Sequence, residues 1–232
     1  VRNSRHEERP CFFLLKVRFK PFLPIVAILG SLFVSMGVAR ADVLYYECGE
    51  ADPGAANGVV ATNSLDSAGI NNLILINGPV YSSDHPACDT NSSLSMQFNG
   101  TNYGVASPVV LQSNFTAEVW VKPATDTADS TILYDGNGEY DLNAYFYGIN
   151  DLDGWGFVQG GGAIVAFLGN IEFGVTPVVT NVWTHLALVC TNGITMFLVN
   201  GQTNAIVNAV PNPATEYLNV GGWSDGTAGF IG

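Results

Sequence analysis

The stretch from Asn181 to Gln202, NVWTHLALVCTNGITMFLVNGQ, constrains the fold more than any other part of the chain. Trp183, His185, Ala187 and Val189 recur at every second position, the period of a β-strand. Asn192-Gly193 then separates this run from a second apolar run that ends at Asn200-Gly201. An Asn-Gly pair between two such runs matches a two-residue hairpin turn, which needs positive φ at both positions. The alternate positions Leu186, Leu188 and Cys190 are apolar too, and Met196, Phe197, Leu198 and Val199 follow without a polar break. Both faces of the hairpin are therefore expected to be largely buried, as in the central strands of a two-sheet sandwich.

The remainder reads the same way. From Asp42 onward short apolar runs alternate with Gly, Asn, Asp and Pro, and no amphipathic helix exceeds a turn or two. Strands are expected over 43–47, 94–98, 103–106, 115–122, 131–134, 143–149, 156–159, 164–167, 183–191, 195–200, 206–210 and 217–220. Residues 49–69 form the main expected loop. Many short strands at this spacing predict an all-β, antiparallel two-sheet sandwich or jelly roll. Neither a repeat nor a low-complexity linker divides it, so residues 42–232 read as one domain.

Residues 1–41 read separately. Arg2, Arg5, Arg9, Lys16, Arg18 and Lys20 precede an apolar run over 22–38, and Ala39-Arg40-Ala41 offers a cleavage site, the layout of an export signal. A retained membrane anchor is the alternative, which Pro24, Gly30 and Gly37 weaken by interrupting the run. After removal at Ala41 no membrane segment is expected, and the product is secreted or held at the cell surface. From Asp42 onward Lys122 alone faces eighteen carboxylates, a formal charge of −17. Nucleic acid is excluded as a partner, because its phosphates need Lys and Arg to neutralise them. Glycans and cell-surface or extracellular proteins remain.

Three cysteines lie beyond Ala41. Cys48 and Cys88 occupy polar, turn-rich stretches and are the expected disulfide if one forms, with Cys190 left over in an apolar strand; the alternative is that none is bonded. No Cys-x-x-Cys occurs and His85 and His185 are isolated, so no zinc pattern exists.

Four segments, SMQFNGTNYGV (95–105), NFTAEVWVKP (114–123), the hairpin over 182–202 and LNVGGWSDGTAGFIG (218–232), follow one another in the order of laminin G-like, concanavalin A-like jelly-roll domains. The chain resembles the bacterial secreted branch of that superfamily, and YYECGEADPG (45–54) resembles its first strand and loop. The resemblance implies a binding or adhesion module, lectin-like, with other domains on the same polypeptide. Relatives follow Gly-Phe-Ile-Gly with an acidic pair and a closing Val-Arg-Ile or Val-Arg-Leu strand. Here Gly-Phe-Ile-Gly ends at Gly232, and the closing strand is expected to lie beyond it.

Glucanases share the superfamily's fold, so the residues decide whether catalysis is possible. Retaining glucanases of this type place carboxylates at Glu-x-Asp-x-x-Glu on one strand. The nearest segment, Glu139-Tyr140-Asp141-Leu142-Asn143-Ala144, lacks the last carboxylate, and Glu118 stands alone. No catalytic set follows, and a degenerate glycoside hydrolase or a spacer without ligand is the alternative to a binder. Asp135, Asn137 and Glu139, with Asp151 and Asp153, offer oxygen ligands suited to calcium, although the same Asp-Gly and Asn-Gly pairs also serve as plain turns. Tyr145 and Tyr147 on one strand face, Trp155 and Trp223 are the aromatic candidates for stacking on a sugar, with core packing as the alternative. Trp120, Trp183 and His185 are expected to pack in or against the core. Asn91, Asn99 and Asn114 begin glycosylation sequons, which matter only in a eukaryotic product.

Overall fold

The computed structural model describes residues 15–19, 42–87, 92–111, 114–126, 129–136 and 153–232. Among them are sixteen strands and no helix: β1 (Leu15–Phe19), β2 (Asp42–Tyr46), β3 (Asn63–Ser64), β4 (Leu73–Ile76), β5 (Val80–Ser82), β6 (Ser95–Gln97), β7 (Tyr103–Ala106) and β8 (Phe115–Val121). They continue with β9 (Ser130–Asp135), β10 (Trp155–Gly160), β11 (Ala163–Leu168), β12 (Ile171–Pro177), β13 (Thr184–Thr191), β14 (Ile194–Val199), β15 (Gln202–Val207) and β16 (Leu218–Val220). A six-stranded sheet runs β15-β14-β13-β8-β1-β2 and an eight-stranded sheet runs β12-β11-β10-β9-β16-β7-β4-β3, with β5-β6 as a short ribbon.

The core lies between the two large sheets. Phe115, Ala117, Leu186, Leu188 and Phe197 from the first meet Leu73, Leu133, Trp155, Phe157, Ile164 and Leu218 from the second. The Phe157 and Phe197 rings touch across the layers, 5.8 Å between centroids. This is the expected antiparallel sandwich. A smaller cluster of Tyr134, Val158, Val165, Phe167 and Trp223 closes the other face of the eight-stranded sheet. β9 and β10 consequently bury both faces.

Local chemistry fixed the hairpins. Thr191 pairs with Ile194 around Asn192-Gly193, with φ of 52° and 81°, and Val199 pairs with Gln202 around Asn200-Gly201, at 50° and 76°. Positive φ at both central residues is the turn whose twist matches the flanking strands. The expectation of two buried faces needs correction. Leu186, Leu188, Cys190 and Phe197 are buried, whereas His185, Val189, Met196 and Leu198 on the outer face remain half-buried. Ala187 is the buried exception on that side, being short enough to lie beneath its neighbours.

Some strands leave no signal in the sequence. β3, β4 and β5 are too short to show a period, and β12 carries Gly174 and Pro177 in a sheet-edge strand. The expected strand over 143–149 lies outside the described residues. The long loop is held by two buried carboxylates. Asp66 accepts from the backbone N–H of Tyr45, Ala68 and Asn71, and Asp52 accepts from Leu65 N–H and the Tyr81 hydroxyl.

β1 falls inside the segment expected to be an export signal. It pairs antiparallel with β2 and with β8, filling the position between them. A chain beginning at Asp42 would leave the facing edges of β2 and β8 without that strand. Such a chain is expected to melt at a lower temperature than the 232-residue chain when the two are compared by circular dichroism. Equal midpoints would show that Leu15–Phe19 adds nothing to the sheet.

Candidate functional site

Two regions gather polar and aromatic side chains. The first is the end of β9 and the start of β10. Trp155 opposite Asp135 in the ladder closes the pair, and Gly136 and Gly154 pack against it so tightly that a Cβ on Gly154 would lie 1.6 Å from the Asp135 carbonyl oxygen. Gly154 also has φ of +79°, so no side chain is tolerated there. Asp135 is fully buried. Its Oδ2 accepts from Val109 N–H at 2.8 Å and Trp155 Nε1–H at 3.1 Å, while Oδ1 meets no donor among the described residues. Burial pushes the carboxyl up to about 7, against the lowering effect of those two hydrogen bonds; Asp153 pushes it further up.

This geometry corrects the aromatic expectation. Trp155 is wholly enclosed, and Trp223 is buried edge-on against Tyr134 at 5.3 Å. Neither presents a ring face to a sugar. Their sequence neighbourhoods are rich in Gly, Asn and Asp, but the rings themselves turn inward to fill the two hydrophobic clusters. Tyr145 and Tyr147 lie outside the described residues.

Of the expected calcium ligands, Asp135 and Asp153 are described and Asn137, Glu139 and Asp151 are not. Asp153 accepts the Tyr134 hydroxyl on its carbonyl oxygen at 2.9 Å and the Thr215 hydroxyl on its carboxylate. Among the described residues no three His, Cys, Asp or Glu side chains gather as a metal group. Among the described residues Cys48 has no disulfide partner, and burial pushes its half-buried thiol up to about 12, with nearby acids adding to the shift; Cys88, its expected partner, lies outside the described residues.

The second region is the outer face of β8 and β13, where the sequence alone predicts core residues. Antiparallel register sets Trp120 opposite His185 and Glu118 opposite Ala187, and Thr184 opposite Val121 brings Trp183 beside Lys122 as the next step. By the two-residue period these side chains share one face, because Leu186, Leu188, Ala117 and Val121 fill the other. Trp120 and Trp183 are half-buried rather than enclosed. The Trp120 and His185 rings lie 5.1 Å apart at 46°, and His185 Nε2 is 3.4 Å from Glu118 Oε2. The acidic neighbour that His185 lacks along the chain comes from the adjacent strand.

At the upper end of this stripe, Asp84 reaches in from the segment after β5. One carboxylate oxygen accepts from Trp183 Nε1–H at 3.0 Å and the other pairs with the Lys122 ammonium. The Lys122 hydrogen bond holds the Asp84 carboxyl below the usual carboxylate range, with the Trp183 bond assisting. Ser82, Gln97 and Asn181 complete a polar recess around them. An apolar recess adjoins it, lined by Met96, Phe98, Val119, Phe230, Trp120 and Trp183. It lies where β8 runs on past Glu118, the last residue that β1 pairs.

An indole held by a carboxylate, beside an ammonium and two amides, matches what a sugar requires: an apolar ring face for its C–H surface and fixed donors and acceptors for its hydroxyls. Glycosidic cleavage requires two carboxylates flanking one bond, and Glu118 is paired instead with an imidazole. Glu139 and Asp141 lie outside the described residues. No sequence signal marked the stripe, since Asp84 and Trp183 are 99 positions apart.

A family model of the Concanavalin A-like lectin/glucanases superfamily matches residues 98–232. Among solved structures the chain is similar to domain 4 of AbnA, a GH43 extracellular arabinanase from Geobacillus stearothermophilus, in complex with arabinotriose. That likeness has 18% identity and a TM-score of 0.52 over 72% of this chain and 82% of that one. A protein from Bacteroides ovatus, provisionally described as carbohydrate binding, gives 14% identity and a TM-score of 0.41 over 73% of this chain and 58% of that one. No curated protein sequence matches.

Proposed function

Since this chain belongs to the Concanavalin A-like lectin/glucanases superfamily, we propose that it is a non-catalytic carbohydrate-binding module of a larger exported polypeptide. The observation that carries this reading is the orientation of Trp183. Its indole N–H is tied to Asp84, whose other oxygen holds Lys122, so an aromatic platform and two hydrogen-bonding charges are set side by side before any ligand arrives. Preorganisation of this kind lowers the entropy that binding must overcome. Both described carboxylates on the stripe are already engaged, Glu118 with His185 and Asp84 with Lys122 and Trp183, which supports binding over hydrolysis. Calcium belongs to this reading beside Asp135 and Asp153, with Asn137, Glu139 and Asp151, which lie outside the described residues, as the further oxygen donors.

The test is titration calorimetry of the full chain against neutral polysaccharides and their oligomers, with calcium and with a chelator. Arabinotriose comes first, as the ligand held by the AbnA domain of like fold. Saturable binding is expected. Trp183→Ala is expected to weaken it by about 2 kcal/mol, roughly thirtyfold, with the unfolding temperature little changed. Silence across the panel would overturn the reading in favour of a spacer, and release of reducing ends would overturn it in favour of a hydrolase.

A further inference from the structure

This inference rests on the carbohydrate-binding reading above. We propose that the outer face of β8 and β13 is an extended site with two polar stations, Asp84–Lys122 and Glu118–His185, joined by the rings of Trp183 and Trp120, and that its ligand is an internal stretch of a neutral glycan chain.

The register carries the argument. Lys122, the residue that follows β8, and Glu118 within it are four residues apart, roughly 13 Å at strand rise, and by the two-residue period their side chains share a face. A single sugar ring held at Asp84 does not reach Glu118, whereas an extended oligosaccharide lying along the strands meets both. Between the stations the face is aromatic. Trp120 stands one step along β8 from Glu118 and one step from Lys122, opposite His185 and tilted against it.

The second station is built for hydroxyl groups. Glu118 and His185 each keep about a fifth of their side-chain surface open, and their contact of 3.4 Å joins one carboxylate oxygen to one ring nitrogen. The Asn200 side chain accepts from His185 N–H at 2.9 Å, and Asn200 N–H donates back to the His185 carbonyl at 2.8 Å. The backbone carrying the imidazole is thus pinned to the hairpin turn. On the opposite face of the sandwich, Trp223 closes the middle of the eight-stranded sheet over Tyr134.

Charge selects the ligand class. The ammonium of Lys122 is already compensated by Asp84, Glu118 adds another carboxylate, and residues 42–232 carry a formal charge of −17. A polyuronate would meet repulsion along the whole stripe; a neutral chain would not.

The experiment measures affinities of the full chain for neutral oligosaccharide ladders of increasing length, arabino-, xylo- and gluco-oligosaccharides, with polygalacturonate as the acidic probe. In the native protein affinity is expected to rise with length and then level off. Trp120→Ala and Glu118→Gln are expected to remove that rise, a loss of about tenfold for the longest oligomers, and to leave the shortest bound oligomer unaffected. Glu118→Gln keeps the shape of the side chain, so it reports on the site even if Trp120→Ala destabilises the sheet. Equal affinity for all lengths, equal losses at all lengths, no loss in either variant, or preference for polygalacturonate would each overturn the extended neutral site. Weakened binding in Trp183→Ala alongside any of these results would leave the carbohydrate-binding reading intact; unchanged binding in Trp183→Ala would move the glycan off this face and remove the extended site, whereas no binding by the native chain removes both.

Discussion

Trp155→Ala is expected to lower the free energy of unfolding by about 4 kcal/mol, the upper part of the range for emptying a buried aromatic site. The ring is wholly enclosed between the sheets, and its loss leaves a cavity that neighbours pinned in two ladders cannot collapse to fill. A second cost falls on Asp135, which loses one of its two donors while staying buried. Trp155→Phe, which keeps most of the volume but not the N–H, separates the terms. It is expected to cost about 1 to 2 kcal/mol. Chemical denaturation of the three proteins checks both values, and a loss below about 1 kcal/mol in Trp155→Ala would mean that this ring is not part of the core.

The second large effect is in pH. An aspartate in the unfolded chain ionises near 3.9, whereas burial raises Asp135 to about 7 in the fold. Between those values the folded protein holds a proton that the unfolded chain has released, so the unfolding free energy contributed by this group falls as pH rises. The contribution is fully present below about 4, declines by at most about 1.4 kcal/mol per pH unit, and is gone above about 7. Asp153 adds to the upward shift, and the two other groups whose ionisation feels Asp135, Tyr46 and Tyr134, are phenols raised further by their own burial and neutral throughout this window. Asp135→Asn keeps an acceptor for Val109 and Trp155 but carries no charge. The difference between native and variant unfolding free energies, measured from about pH 4 to about pH 8, is therefore expected to move steadily against the native protein. A difference that stays flat, or turns to its favour, would mean that Asp135 is ionised in the fold. Such a change brought about by added calcium would couple cation binding to ionisation of Asp135, whose Oδ1 has no donor among the described residues.

The two regions differ in how far they could be read from the chain. Asp135, Asp153 and Trp155 drew attention because acids and glycines cluster in a short window, and the structure brings those three together. The inference failed at the direction of the ring. A tryptophan beside Gly-rich loops looks exposed, but β10 is covered on both faces, so there is no open side for Trp155 to occupy. Trp223 was misplaced for the complementary reason. Its own loop folds back to become the cover over Tyr134 and Val158. Trp120, Trp183 and His185, set in the most apolar runs of the chain, looked like core and lie on the half-open face.

By itself the sequence determined everything that depends on neighbours along the chain. The period of two made strands, the Asn-Gly pairs at 192–193 and 200–201 set both hairpins by their positive φ, and a single lysine among the residues from 42 onward dictated an acidic surface. What only the tertiary structure decided is which face of each strand is covered. A period of two states that side chains alternate, but the cover comes from residues distant in sequence: Trp223 across 89 positions onto Tyr134, Glu118 across 67 onto His185, Asp84 across 99 onto Trp183. Burial and pairing at those positions follow from how the layers stack, and stacking has no local signature.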